Sequence, residues 1–164
     1  MRPRGPVFIE TRTMKAFVMV GAPGSGKSTH SEKLKAEHPG AVVICGDTIR
    51  EQLYGDANIQ GNWVEIHDKI VETLEENVGR TIIMDGTHYR ASYRRDALTL
   101  LQSYGYSEVE AVIVNTPLAD CLSRNAARSR QVPEHVINKM FQSLLASLRG
   151  VDKEGFSVVQ YIHN

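Results

Sequence analysis

The sequence predicts an α/β fold in which a parallel sheet of about five strands is covered by helices on both faces. Two observations lead to this prediction. Short apolar runs, each suited to a buried strand, alternate along the chain with segments of helical periodicity. Strands of this kind are typical of parallel sheets that are buried on both sides. The runs occupy residues 16–20, 41–45, 81–84, 109–114 and 156–162.

The bulk properties of the chain indicate one domain without a strong electrostatic field. The chain has 164 residues, with 19 basic and 19 acidic side chains that cancel. This balance argues against a protein that coats long nucleic acids, although not against a local pocket that grips a strand end. Cys45 and Cys121 are far apart, so we expect reduced thiols and a cytoplasmic protein.

The first thirteen residues differ in composition from the rest. The segment 1–13 is basic and interrupted by proline and glycine, and it lacks the apolar core of a signal peptide. Met14 stands just before the first apolar run and is a plausible natural start. We therefore interpret residues 1–13 as a tail or alternative start, with a basic nucleic-acid arm as the other possibility, and residues 14–164 as the domain.

Helix boundaries follow from local signals. Pro39 and Gly40 should end the first helix near His38, and Gly105 should end a helix over residues 92–104. Thr116 followed by Pro117 is the preferred order for a helix start. Two apolar stripes at helical spacing are expected to pack in the core. The first stripe begins after the cap residue Asn62 and comprises Trp63, Ile66, Ile70 and Leu74. For Trp63, stacking on a base is the alternative to packing in the core. The second stripe comprises Val136, Ile137, Met140, Phe141, Leu144, Leu145 and Leu148.

A phosphate-binding loop lies between the first strand and the first helix. Residues 21–28 fit the pattern G-x-x-x-x-G-K-[ST] at every fixed position. We expect its glycines to adopt positive φ, so that backbone N–H groups converge on the phosphate oxygens of a bound nucleotide. Lys27 would then reach the β- and γ-phosphates, and the Ser28 hydroxyl would bind Mg²⁺. The predicted donor site comprises Gly21, Ala22, Pro23, Gly24, Ser25, Gly26, Lys27, Ser28 and Thr29.

Polar residues follow two further strands, at the edge where α/β sheets place their ligands. Asp47 comes directly after the second strand, which we expect to lie next to the phosphate loop. Asp85 ends the third strand and suits a role beside Mg²⁺ or beside the phosphate acceptor. His88 follows it and is the one histidine at a strand tip.

Arginines mark a possible lid. Arg124 and Arg128 are four residues apart on a predicted helix, hence on one face, and Arg130 follows before Pro133. They form either a solvated surface or a small helical lid that reaches the triphosphate. The lid is favoured because Arg128 has no acidic residue three or four positions away.

Taken together, these segments resemble the kinase domain of phage-type polynucleotide 5′-hydroxyl kinases. The resemblance covers roughly residues 14–150 and rests on GAPGSGKST, on GDTIR at the second strand tip, on IIMDGTH at the third, and on RNAAR before a proline. It implies a P-loop kinase that transfers a phosphoryl group from ATP, with Mg²⁺, to the 5′-hydroxyl end of a DNA or RNA strand.

The resemblance also implies roles for individual residues. Asp47 would be the general base, and Arg50 would hold the neighbouring phosphate of the acceptor. Arg128 would be the lid residue on the donor phosphates, with Arg124 close by. Asp85, Thr87 and His88 would build the acceptor site, although His88 stands where the family often has asparagine.

Two other functions remain open at this point. One is a kinase of the same fold that acts on a small metabolite or an aminoacyl-tRNA, which would also use a strand-tip aspartate. The other is a plain NTPase or nucleotide switch, which would not need the Asp47-x-x-Arg50 arrangement.

Overall fold

The computed structural model describes residues 13–164. The predicted tail, residues 1–13, lies outside the described residues except for Thr13. Five strands form, each at one of the apolar runs: β1 (Met14–Val20), β2 (Val42–Cys45), β3 (Ile82–Asp85), β4 (Tyr106–Asn115) and β5 (Val158–His163). The helices are α1 (Lys27–Glu37), α2 (Gly46–Tyr54), α3 (Trp63–Glu76), α4 (Ala91–Ser103), α5 (Leu118–Ala126) and α6 (Glu134–Ser147), followed by a short 3₁₀ helix, Leu148–Lys153.

All strand pairs are parallel, and the strand order is β2-β3-β1-β4-β5. The carboxyl ends of all five strands therefore meet at one edge of the sheet. The order corrects one expectation, because β3 lies between β2 and β1 and separates Asp47 from the phosphate-loop strand. Asp85, opposite Cys45 in the register, is the acidic residue on the strand that neighbours β1.

The sheet is buried on both faces, as the apolar runs predict. Along β1 the side chains alternate between two clusters. Ala16, Val18 and Val20 pack with residues of α3, α4 and α6, whereas Phe17 and Met19 pack with Leu34 of α1 on the other face. This two-sided burial, with helices on both faces, confirms the predicted fold class.

Several local boundaries are also confirmed. Helix α1 ends at Glu37, just before Pro39. Asn62 caps α3 by accepting a hydrogen bond from the Val64 N–H at 2.9 Å. Gly105 adopts a φ of 91° after α4, a conformation that glycine permits at little cost.

Two side chains predicted for the core lie at the surface instead. Trp63 is 62% exposed, while Ile66, Ile70 and Leu74 on the same stripe are buried. Trp63 is the first residue of α3, three positions before the first buried residue of the stripe, and its ring centroid lies 6.0 Å from that of His67. Leu145 is likewise exposed, because α6 packs through Ile137 and Leu144.

We expect Trp63→Ala to change the free energy of unfolding by less than about 0.5 kcal/mol, as for an exposed surface residue. Leu74→Ala on the same helix, at a fully buried position, is expected to cost about 2–5 kcal/mol. Urea unfolding of both variants measures this difference. An equal loss of unfolding free energy in both variants would indicate that Trp63 packs in the core.

A buried arginine ties the last part of the chain to the loop after β3. The Arg94 guanidinium is fully buried and pairs with Glu154, with Nη2 and Oε1 2.7 Å apart. It also donates to the Ser147 carbonyl at 3.1 Å and to the His88 carbonyl at 2.9 Å. Such a buried pair holds its position only when its donors are satisfied, so Arg94 fixes the segment that carries His88.

None of the helices in the described part of the chain is long and apolar enough to cross a membrane.

Candidate active site

The phosphate loop connects β1 to α1 and depends on its glycines. Gly24 has a φ of 80°, and a Cβ there would lie 2.4 Å from the Cys121 carbonyl oxygen of α5. Only glycine fits such a close approach. Gly21 differs from the expectation of positive φ. Its requirement is for space, since a Cβ would lie 2.7 Å from the Ser25 hydroxyl.

The Ser25 carbonyl anchors the loop to the end of the sheet. It accepts hydrogen bonds from the Thr116 hydroxyl at 2.7 Å, from Arg124 Nη1 at 3.0 Å and from Asn164 Nδ2 at 3.2 Å. Thr116 is therefore a support of the loop and not the helix cap that its position before Pro117 predicts; Pro117 takes the cap position of α5. Arg124 contacts the backbone of the phosphate loop, and its expected contact with the donor phosphates stays a prediction.

Lys27 stands at the first position of α1, among buried groups. Its Nζ donates to the Ala22 carbonyl at 3.0 Å, within the loop. Burial lowers the pKa of the Lys27 ammonium, and the carboxylates of Asp85 and Asp47 act against that shift. Burial raises the pKa of the Asp85 carboxyl in turn, while the charge of Lys27 opposes the rise. The lysine and the two carboxylates thus share one electrostatic environment, although they come from three separate parts of the chain.

The segment after β3 is fastened to the phosphate loop. The Gly21 N–H donates to the Thr87 carbonyl at 3.0 Å. His88 has a φ of 44°, and its Nδ1 lies 2.6 Å from the Met19 carbonyl of β1. Burial lowers the pKa of this imidazole, which favours the neutral ring. These contacts give Thr87 and His88 a structural part in holding two loops together, and their predicted contact with substrate stays a prediction.

An open cleft of about 510 Å³ lies beside the phosphate loop. It is bounded by Ser28 of the loop, by the first turns of α2, by the segment 55–58 before α3 and by the segment 128–131 after α5. Asp47 projects into it with half of its side chain exposed. The cleft brings together the predicted metal ligand Ser28, the predicted base Asp47 and the predicted lid residue Arg128.

Two arginines flank the Asp47 carboxylate. Arg50 Nη1 lies 3.3 Å from Oδ1, one turn along α2. Arg130 Nη1 lies 3.4 Å from Oδ2, and its Nε donates to Asn58 Oδ1 at 2.9 Å. Sequence reasoning gave Arg130 no definite role and did not find Asn58, because these contacts join residues more than 70 positions apart.

The predicted lid is a loop and not a helix end. Helix α5 ends at Ala126, so Arg128 lies beyond it and does not share a helical face with Arg124. The buried Asn125 closes this loop, donating to the Val132 carbonyl at 2.8 Å and accepting from its N–H at 2.9 Å. The loop, residues 126–132, therefore presents Arg128 and Arg130 to the cleft from a fixed base.

The residues of the phosphate loop fit a nucleoside triphosphate and one magnesium ion. A Cβ at Gly21 or Gly24 would lie within 3 Å of neighbouring atoms, so these glycines keep side chains out of the turn whose backbone N–H groups, with Lys27, would bind phosphate oxygens. No group of three or more acidic, histidine or cysteine side chains suited to a metal occurs within residues 13–164. A single hydroxyl such as that of Ser28 suits Mg²⁺, which takes its other ligands from phosphate and water.

The chain is similar to several proteins of known sequence or structure. It is 26% identical over 139 residues to the L-seryl-tRNA(Sec) kinase of Methanococcus maripaludis, covering 77% of this chain and 51% of that kinase. A chain of the Pnkp1/Rnl/Hen1 RNA repair complex superposes with a TM-score of 0.72 at 18% identity, covering 88% of this chain and 48% of that one. A chain of the PezAT chromosomal toxin-antitoxin system of Streptococcus pneumoniae superposes with a TM-score of 0.69 at 17% identity, covering 94% of this chain and 70% of that one.

The protein thus spans about half the length of the seryl-tRNA kinase and of the repair-complex chain. The structural likenesses, at under a fifth sequence identity, show the fold alone. Residues 17–147, which contain most of the sheet, the phosphate loop and the loop 126–132, match the family described as an AAA domain. The chain belongs to that family and has a P-loop kinase-like fold.

Proposed function

We propose that the protein is an ATP-dependent kinase that phosphorylates the 5′-hydroxyl end of a DNA or RNA strand. One observation carries the proposal: the carboxylate of Asp47 projects into the same cleft as Ser28 of the phosphate loop and Arg128 of the facing loop. A plain NTPase would need the phosphate loop but not a carboxylate with its own arginine on the far side of the cleft. Phosphoryl transfer depends mainly on positioning and charge stabilisation, and this cleft supplies both.

The donor half of the reaction belongs to the phosphate loop. Its backbone N–H groups and Lys27 would bind the phosphates of ATP, with Thr29 following at the start of α1. Mg²⁺, bound through Ser28, would offset phosphate charge. Arg128 is exposed on the loop 126–132 and would reach the phosphates from the other side of the cleft. Arg124 would act indirectly, by fixing the Ser25 carbonyl and with it the loop conformation.

The acceptor half belongs to α2 and to the end of β3. The 5′-hydroxyl oxygen would attack the γ-phosphorus as the bond to the ADP oxygen breaks, and Asp47 would take the hydroxyl proton. Arg50 of α2, whose side chain is mostly buried, would bind the phosphate next to the attacked nucleoside. Asp85, with Thr87 and His88 behind it, would complete the acceptor wall beside β1.

The charges that line the cleft restrict how an anionic acceptor can bind. Asp47, Glu51 and Asp56 contribute three carboxylates, against the two guanidinium groups of Arg128 and Arg130. The cleft therefore has no general positive field to attract a polyanion. A nucleic acid would have to be recognised through specific guanidinium contacts with its terminal phosphates, which is consistent with the balanced charge of the whole chain.

A second candidate is a kinase that acts on an aminoacyl-tRNA or a small alcohol. The sequence similarity to a seryl-tRNA kinase favours this candidate, since the alignment covers most of the chain. Both candidates use Asp47 as base and the phosphate loop as donor site. They differ in whether the acceptor must carry a phosphate beside its hydroxyl.

A labelling panel separates the candidates. With γ-labelled ATP and Mg²⁺, we expect transfer to 5′-hydroxyl oligonucleotides and to a nucleoside 3′-monophosphate. Matched oligonucleotides that already carry a 5′-phosphate should not be labelled. Charged seryl-tRNA and small alcohols complete the panel. If only these are labelled, the acceptor is not a strand end, and hydrolysis of ATP with no labelled acceptor would indicate an NTPase.

A further inference from the structure

We propose that Arg130 is a second phosphate-binding residue of the acceptor site, placed by Asn58 and Asp47 so that it and Arg50 grip one acceptor phosphate from two sides. The inference rests on the proposed function and names the chemical group that its acceptor must carry, a phosphate ester next to the reacting hydroxyl. It assigns Arg130 to the acceptor, whereas its neighbour Arg128 serves the donor.

Both fixed contacts of Arg130 lie on the acceptor side of the cleft. Asn58 belongs to the segment that joins α2 to α3, and its side-chain oxygen accepts from Nε at 2.9 Å. The Asp56 carboxylate in turn accepts the Asn58 backbone N–H at 2.8 Å and shapes this turn. The contact to Asp47 at 3.4 Å orients the other edge of the guanidinium. Arg130 therefore bridges from the loop 126–132 to the wall that would hold the acceptor.

A guanidinium group has five N–H donors in a fixed fork. Within residues 13–164, the hydrogen bonds of Arg130 use Nε and one N–H of Nη1. The remaining donors are thus available to a ligand while the contacts to Asn58 and Asp47 are kept. Lysine could not reproduce this arrangement, because an ammonium group has no rigid fork.

The position of the two arginines explains why the pair would select a phosphate. Arg50 and Arg130 approach opposite oxygens of the same carboxylate, so an acceptor hydroxyl that reaches Asp47 brings its neighbouring phosphate between them. Their side chains are only 20% and 30% exposed, so their charges are less screened than those of freely solvated arginines. The two partly desolvated guanidinium groups would offset the charges of the two nearby carboxylates, Glu51 and Asp56, whereas one guanidinium group would leave one of these charges uncompensated.

The test compares two acceptors that differ only in the phosphate, adenosine and adenosine 3′-monophosphate. For Arg130→Ala we expect the preference for the phosphorylated acceptor, measured as the ratio of the two kcat/KM values, to fall by about 10- to 100-fold. The KM for ATP should stay the same. Arg130→Lys should recover part of the preference, and Arg149→Ala, an exposed arginine on the 3₁₀ helix, should keep all of it.

Each other outcome overturns the inference. An equal loss with both acceptors would mean that Arg130 acts only on Asp47, and a raised KM for ATP would place it in the donor site. An unchanged preference would leave it no part in recognition. The wild-type arm reports separately on the proposed function. If wild-type protein labels adenosine 3′-monophosphate and the variant does so equally well, the inference fails alone; if wild type labels neither this nucleotide nor any 5′-hydroxyl strand, the proposed function fails and the inference falls with it.

Discussion

Replacing Lys27 with alanine is expected to lower kcat by a factor on the order of 10³ or more, the size of effect seen when a main charge-stabilising group is removed from a phosphoryl-transfer site. The reason is the surroundings of the ammonium. It is partly buried beside the phosphate loop, where its charge is less screened than at the surface, and this burial lowers its pKa. Phosphate oxygens would relieve this cost of burial, and water cannot replace a fixed ammonium at that point.

The same substitution has a second consequence at Asp85. The charge of Lys27 holds the pKa of the Asp85 carboxyl down against the effect of burial. Without the lysine, this pKa rises further, so Asp85 is protonated up to a higher pH than in the wild-type protein. Single-turnover transfer and the titration of Asp85 by NMR measure the two effects.

Lys33→Ala is the matched control for this experiment. Lys33 lies on the same helix, two turns further on, and is exposed. The substitution Lys33→Ala removes the same charge from α1 without changing the phosphate loop, so the turnover of this variant should resemble that of the wild type. Near-normal turnover of Lys27→Ala would contradict the assignment of the loop as the donor site.

The conformation of the phosphate loop could be predicted from the sequence because its information is local. The loop lies within residues 21–28, and the backbone freedom of Gly24 and Gly26 is a property of glycine itself. The strands could likewise be predicted, because their apolar runs indicate burial on both faces, and so could the helix cap at Asn62. In each case one short segment contains both the cause and the structure.

The arrangement around Asp47 could not be predicted, since it depends on the order of strands and on contacts between distant segments. Nothing in the sequence of β2 or β3 states that β3 pairs with β1 and displaces β2 to the edge. Arg130 reaches Asp47 of α2 from the loop that Asn125 closes, residues 126–132. Arg128 leaves the helical face of Arg124 because α5 stops at Ala126, two residues before Arg128.

Trp63 shows a different limit, that of periodicity at a helix end. The spacing of the α3 stripe is correct for three buried residues, and it extends to Trp63 without a break. Periodicity reports which face of a helix is apolar, but not how far the neighbouring elements extend along it. The stripe is buried from Ile66 onward, whereas Trp63, the first residue of α3 on the same face, is exposed.

The largest effect expected at the acceptor side is that of Asp47→Asn. This nearly isosteric change should keep ATP binding and lower kcat by about 10²–10⁴, the usual contribution of a positioned base. The amide oxygen can still accept a hydrogen bond from one of the two flanking arginines, but the amide nitrogen presents donors to the other. The variant therefore loses both the proton acceptor and the charge that orients Arg50 and Arg130.

A matched control separates the base from the general charge of the cleft. Glu51 lies one turn along α2, is exposed and lines the same cleft, so Glu51→Gln removes an equal charge from nearly the same place. Since Glu51 has no ion pair with the other described residues, we expect its variant to retain most of the wild-type turnover. If both variants lose turnover equally, the carboxylates act through the field of the cleft alone. If only Asp47→Asn loses it while ATP binding is unchanged, the loss belongs to the position of this one carboxylate, where a hydroxyl aligned with the γ-phosphate must release its proton.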